Sequence, residues 1–249
     1  MAQLTDVVDL GRQCNHTSYP DGLAGIPVYY RGCNHCGLVF TDFFDRFTPD
    51  QWQECIYNDD YARIDPEYTG FRAGRSVPIV RAATRRWFLP GDIGCEFGGG
   101  RGTLADLLTQ DGLPFESFDP FGKQALTKDP GSYSIVTAFE VLEHVPDPLA
   151  VFDKIAGLLT TSRSLCLIST MTNDGLASSG ALMNWWYAAP RNGHITLYAQ
   201  KTLKMLADRH KLDYRKITRS VHLFGHGLDL SAISRRVLAA KIRQRLHLA

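Results

Sequence analysis

Apolar residues are distributed along this chain in two different textures. From Asp92 onward, short continuous apolar runs alternate with stretches whose apolar positions recur at helical spacing. That order of strand, helix and strand predicts a parallel sheet with helices on both faces. Strands are expected near residues 92–97, 114–119, 133–139 and 164–170, and helices near 102–110, 147–160 and 199–210. The later runs Leu212 to Thr218 and Ser220 to Phe224 read as a closing strand pair. The first seventy residues lack this regularity, with apolar residues scattered among Cys, His, Gly, Asp and Tyr. Only Val28 to Arg31 and Gly37 to Thr41 look strand-like there, which predicts a small β-ribbon. Pro49 to Tyr57 fits a short helix with Thr48 as its N-cap and Pro49 at its first position. Phe71 to Phe88 reads as a basic-faced helix closed by Pro90-Gly91. The pattern therefore divides the chain into an N-terminal cap, residues 1–70, and a larger α/β domain, residues 71–249.

Composition adds bounds. With 249 residues, 44% hydrophobic and 21% charged, one substantial core and a small appendage are affordable. No apolar run approaches the ~20 residues of a membrane span, so no membrane partner is expected. Residues 1–6 show no basic segment leading into an apolar stretch, which makes a cytoplasmic location the expectation. The net charge of +1 conceals an asymmetry: from Lys201 onward twelve Lys or Arg face three Asp. Two readings stand, an anionic partner or the solvated face of an amphipathic final helix. Leu230, Ile233, Val237, Leu238, Ile242 and Leu246 recur at helical spacing with arginines between them, which favours the helix, and nucleic acid is not expected.

Residues 92–102 carry the most specific chemistry. An apolar strand ends in Glu96 and runs into Gly98-Gly99-Gly100-Arg101-Gly102, just before a helix. Glycines here let the backbone turn sharply and approach a ligand, and the helix start offers N–H groups. The acid before the first glycine, and the order Glu96-x-Gly98-x-Gly100-x-Gly102, differ from the dinucleotide G-x-G-x-x-G pattern. A second segment, Ser134 to Pro148, contains Glu140-Val141-Leu142-Glu143-His144-Val145-Pro146-Asp147 after a strand. Together these segments resemble class I S-adenosylmethionine-dependent methyltransferases, in particular the ubiquinone-biosynthesis O-methyltransferases. The resemblance implies a Rossmann-like, seven-stranded, mostly parallel sheet and S-adenosylmethionine as cofactor. Asp119, about twenty residues beyond the glycine turn, takes the position of a ribose-binding carboxylate. The interval from Asp119 to Ser134 is too short for a full helix-strand-helix excursion, so the middle of the fold is expected to be trimmed.

Methyl transfer from a sulfonium needs mainly the positioning of two reactants. In this reading Gly98, Gly99, Gly100 and Gly102 hold the methionine end. Glu96 either meets its amino group or organises the turn, and Phe139 and Glu140 follow a strand whose end faces the cofactor. Glu143, His144 and His194 are the catalytic candidates. A neutral imidazole can take a proton from a hydroxyl, although His144 also suits a structural role and His194 a loop-anchoring hydrogen bond. Trp185, Trp186, Tyr187 and Tyr198 are the expected acceptor-pocket residues, with core packing accounting for one of the Trp pair. Glu140, Glu143, His144 and His194 further resemble the Mg or Mn ligand set of small-RNA 2′-O-methyltransferases.

Cys33-Asn34-His35-Cys36 supplies a C-x₂-C pair, preceded by Cys14-Asn15-His16. Cys14, His16, Cys33 and Cys36 could hold a structural zinc, a cap reminiscent of some sugar methyltransferases, but Thr17 stands where their second cysteine would be. The alternative is a hairpin without metal. The expected function is methylation of a small-molecule acceptor, preferably on oxygen. The alternatives are C-methylation of a deoxysugar, metal-dependent methylation of RNA, and a methyltransferase-fold binding protein without catalysis.

Overall fold

The structure, a computed structural model, describes residues 2–14, 22–120, 126–174, 176 and 184–247. In chain order its elements are β1 (Ala2–Asp9), β2 (Pro27–Cys33), β3 (Val39–Phe40), α1 (Pro49–Cys55), α2 (Tyr61–Ile64), α3 (Phe71–Thr84), β4 (Gly94–Phe97), α4 (Thr103–Gln110), β5 (Phe115–Phe118), β6 (Ile135–Phe139), α5 (Pro148–Leu158), β7 (Ser164–Ser169), β8 (Thr196–Leu197), α6 (Gln200–Arg209), β9 (Asp213–Thr218), β10 (Val221–His226) and α7 (Leu230–His247). The chain forms two compact units. One comprises Met1–Thr69, Leu142–Pro148 and Met171–Met205, and the other Gly70–Val141, Leu149–Thr170 and Leu206–Ala249.

The first unit, the cap, is built on an antiparallel sheet in the order β1-β2-β3-β8. The irregular first seventy residues therefore form a cap with help from later segments, which supply β8 and the stretch around Glu143 and His144. Its core consists of Val28, Tyr30, Val39, Phe44, Ile56, Trp185, Tyr187 and their neighbours. The α1 start follows the expected chemistry: the Thr48 side chain accepts from the Gln51 N–H and the Gln51 side chain accepts from the Thr48 N–H, a complete capping box.

The second unit carries a sheet in the order β5-β4-β6-β7-β10-β9. β5, β4, β6 and β7 run parallel, and β10 is antiparallel to both neighbours. The central β7, Ser164-Leu-Cys-Leu-Ile-Ser169, is buried along nearly its whole length, as expected of a strand covered on both faces, whereas the edge strand β5 alternates buried and half-buried positions. Cys95 and Cys166 serve here as small buried apolar residues, and burial raises both thiols, Cys95 to about 12. Six strands replace the seven implied by the resemblance. No strand lies between β5 and β6 among the described residues, in keeping with the shortened interval after Asp119. Helix α3 stops at Thr84 instead of Phe88, because Arg85 leaves the helical backbone (ψ 128°) and Arg86 follows in a left-handed one (φ 79°). None of the described helices is long and apolar enough to cross a membrane.

Candidate functional site

The chain visits β4, then β5 on one side, then β6 on the other, so the strand order reverses at β4. Open parallel sheets bind ligands beyond the carboxyl ends of their strands at this reversal. The glycine turn follows β4, Asp119 follows β5 and Glu140 follows β6, which brings the sequence-predicted cofactor residues to one edge of three neighbouring strands.

The turn is fixed by its own backbone. Gly98 (φ 73°) donates to the Phe118 carbonyl at 2.7 Å, and Gly100 donates to Asp119 Oδ2 at 2.8 Å. Glycine is required at two of these positions for different reasons. A Cβ on Gly98 would stand 2.5 Å from Val141 Cγ2 in a left-handed backbone, and one on Gly99 would stand 2.4 Å from Ser117 Oγ and 2.5 Å from Glu96 Cδ. Gly102 (φ 78°) leads into α4. Glu96 Oε2 accepts from the Ala105 N–H at 3.0 Å, inside the first turn of α4. Its carboxyl is pushed up to about 7, chiefly by burial, with the Ala105 N–H opposing the shift. Of the two roles expected for Glu96, organising the turn is the one this hydrogen bond performs. Phe139 packs against the hydrophobic core of this unit. Glu140 adopts a left-handed backbone (φ 54°), uncommon for a residue with a side chain. Ser169 pins it there: the Ser169 hydroxyl donates to Glu140 Oε1 at 2.6 Å and accepts from the Glu140 N–H at 2.9 Å. Strain of this kind concentrates at functional sites.

The catalytic candidates gather in the cap unit. One donor atom from each of Glu143, His144 and His194 lies within 4.8 Å of the other two. The imidazoles meet edge to face with centroids 5.0 Å apart. His144 Nδ1 is 3.1 Å from the Gly193 carbonyl, and His194 Nδ1 is 2.9 Å from the Tyr187 carbonyl. A carbonyl oxygen only accepts, so each Nδ1 carries the hydrogen and Nε2 is the basic nitrogen of both rings. The Tyr187 hydroxyl donates to Glu143 Oε1, so this one residue holds two members of the cluster.

The pocket aromatics divide by burial. Trp185, Tyr187 and Tyr198 are core residues, and of these four only Trp186 is exposed, at 39%. The Tyr198 hydroxyl donates to the Leu142 carbonyl at 3.1 Å, and burial raises it far above its ordinary value. Sequence reasoning missed what holds this loop. Arg191, fully buried, donates to the Ile56 carbonyl at 2.9 Å and to Asn58 Oδ1 at 3.3 Å. Residues 12–14 run along the same loop, where the Arg12 guanidinium donates to the Trp185 carbonyl and the Cys14 N–H to Asn192 Oδ1.

Two potential metal sets were expected. Among the described residues Cys14 does not join Cys33 and Cys36 in one cluster; Cys14 Sγ lies 3.5 Å from His194 Nδ1. Cys33 and Cys36 share one turn, in which the backbone N–H groups of Cys36 and His35 hold the Cys33 thiol below its ordinary value. His16 lies outside the described residues. The cluster with a ligand set's chemistry is Glu143, His144 and His194: two imidazoles whose other nitrogen is committed to a carbonyl, beside a carboxylate.

The profile of a methyltransferase-domain family matches residues 75–217, more than half of the sequence. The chain belongs to that methyltransferase family. Among curated proteins, the ubiquinone biosynthesis O-methyltransferase of Xanthomonas campestris pv. campestris is 40% identical over 70 residues, a match spanning 27% of this chain and 29% of the relative's length. Among solved structures, an O-methyltransferase family protein from Burkholderia thailandensis is 18% identical with a TM-score of 0.46, covering 68% of this chain and 60% of that one. A SAM-dependent methyltransferase from Archaeoglobus fulgidus is 18% identical with a TM-score of 0.42, covering 63% and 74%. The family match takes in the glycine turn, Asp119, the Glu143-His144 pair and His194, so all these candidate residues fall within the matched segment.

Proposed function

We propose that this chain transfers the methyl group of S-adenosylmethionine to a hydroxyl of a small-molecule acceptor, with the Glu143, His144 and His194 cluster taking the acceptor proton. The carrying observation is the contact of each Nδ1 with a backbone carbonyl, Gly193 for His144 and Tyr187 for His194, which assigns the hydrogen to Nδ1 and leaves Nε2 as the basic nitrogen of both rings. Glu143 stabilises the imidazolium that results. In the other unit the glycine turn receives the methionine end of the cofactor, Asp119 exchanges its Gly100 N–H partner for, or shares it with, the ribose hydroxyls, and Glu140 lies at the end of β6 at the same sheet edge. The sulfonium supplies the driving force of the displacement, so a base that removes one proton completes the chemistry.

The same three side chains fit a divalent cation, which favours a second reading. Two imidazoles and a carboxylate leave room for further oxygen ligands. A cation held there would add positive charge that favours the deprotonated acceptor.

Incubating the protein with S-adenosylmethionine and panels of phenols, sugars and short RNAs, and following products by mass spectrometry, tests the proposal. Methylated phenols or alcohols support it. Methylated RNA alone, or cofactor binding without product from any class, would overturn it. Activity lost to a chelator and restored by Mg²⁺ or Mn²⁺ selects the second reading.

A further inference from the structure

The final helix does not bury the face that its sequence pattern suggests. Leu230, Ile233 and Val237 are buried in the core of the second unit, but Leu238, Ile242 and Leu246 are 41%, 50% and 71% exposed. Four residues apart, these three form one row on the solvent side of α7. Phe71, at the start of α3, is also exposed and carries Arg75 over its ring. α3 and α7 lie side by side: Arg236 Nε donates to the Ala82 carbonyl at 3.2 Å and Gln244 Nε2 to the Arg75 carbonyl at 2.6 Å. Between them runs an open groove of about 1250 Å³.

The rim of that groove is arginine: Arg75, Arg81, Arg85, Arg86, Arg236 and Arg243, with Arg235 beside them. Asp111 is the acid among its lining residues, and it is paired with Arg81 at 2.9 Å. Packing so many like charges along one helix pair has a cost. Arg236 is held below its ordinary value by burial and by Arg86 and Arg85, and Lys241 by burial, Arg245 and Arg75. A counter-charge would relieve this.

We propose that the α3–α7 face docks on an anionic phospholipid bilayer, with Leu238, Ile242 and Leu246 entering the headgroup region and the flanking arginines on lipid phosphates. Two features single out this occupant. A second copy of the chain would bring the basic patch of Arg235, Arg243 and Arg245 against the same basic patch of its partner in a two-fold contact. A nucleic-acid strand would use the arginines, but its bases stack on aromatic rings; Phe71, the exposed ring of this face, is already covered by Arg75, and the exposed row on α7 is aliphatic. Basic side chains flanking exposed aliphatic ones on a helix match the interfacial binding mode, in which the helix lies on the membrane without crossing it. The expectation that no membrane is a partner rested on the lack of a spanning segment, a criterion that does not reach this mode.

Vesicle flotation of the full chain tests the proposal. Wild type should float with equimolar phosphatidylglycerol and phosphatidylcholine, bind pure phosphatidylcholine at least about tenfold more weakly, and be released by high salt. The Leu238→Gln, Ile242→Gln, Leu246→Gln variant, whose substitutions lie on an exposed face and preserve helix propensity, should lose flotation while its circular dichroism and cofactor affinity stay unchanged. Arg235→Glu with Arg243→Glu should lose it as well. Equal binding to both vesicle types, or wild-type flotation by the triple variant, would overturn the proposal. So would a labelled RNA bound at physiological salt and lost with Arg235→Glu, or a dimer in sedimentation that the triple variant dissociates.

Discussion

The glycine turn and the histidine cluster are built from opposite materials. The turn works through backbone: N–H groups of Gly98 and Gly100, a helix start at Gly102, and a carboxylate only nineteen positions from the glycine it caps. The cluster works through side chains drawn from distant parts of the chain, with His194 beside Cys14 from 180 positions away and Tyr187 reaching Glu143 across 44. A backbone site is encoded largely by where side chains must be absent. A side-chain cluster depends on a loop held by Arg12, Arg191 and Asn192, none of which enters the cluster itself.

Substitutions that strike one region and spare the other are the sharpest way to break this contrast. Gly98→Val should have the largest effect, abolishing S-adenosylmethionine binding in calorimetry, since the side chain meets Val141 in a left-handed backbone. Full affinity in a folded variant would dissolve the backbone account of the site. Next, His144→Ala with His194→Ala should lower turnover by roughly 10²–10⁴-fold and leave cofactor affinity unchanged, and the rise of rate with pH should flatten. An unaltered pH–rate profile would leave proximity as the mechanism.

The Glu96 carboxyl gives a pH test of the turn alone. Its folded value of about 7 lies above the ordinary 4.5, so the native state holds a proton that the unfolded chain has released between these values. Without cofactor, the contribution of Glu96 to stability should therefore be complete below pH 4.5 and be lost as pH rises through about 7. The loss is on the order of 3 kcal/mol at most. Denaturant midpoints at a series of pH values should show this slope in wild type and not in Glu96→Gln, and matching slopes would place the proton elsewhere. Asp119→Ala should weaken cofactor binding by about 1–3 kcal/mol, with no change in binding arguing against a ribose contact. The smallest effect is expected from Tyr187→Phe, about 1 kcal/mol of stability. It should come with a shift in the pH–rate profile, because Glu143 loses a donor while the carbonyl that holds His194 is retained.

The same contrast explains what could be read from the chain. The strands of the parallel sheet stood out as continuous apolar runs, and Gly98 to Gly102 stood out because close backbone approach leaves a compositional trace. The first strand did not. Ala2–Asp9 mixes polar and apolar residues, with a register break between Leu4 and Asp6, so it follows no period of two. The two-residue β8 is defined by its partner β3 and has no signature of its own. Arg191 was invisible because burial of an arginine depends on carbonyls and amides that other segments bring to it. On α7, helical periodicity placed Leu230 and Leu246 on one stripe, but four-residue steps drift around a helix of 3.6 residues per turn, and by Leu238 the row has left the core.

Glu140 carries an implication for engineering. Glycine or asparagine would occupy its left-handed backbone more comfortably, and a search for thermostable variants should find such substitutions at once, since relieving strain of this type is worth on the order of 1 kcal/mol. Those variants would lose the carboxylate that Ser169 holds at the end of β6. Stability-directed evolution of this chain would therefore tend to erode the sheet edge proposed to bind the cofactor unless activity were selected in parallel.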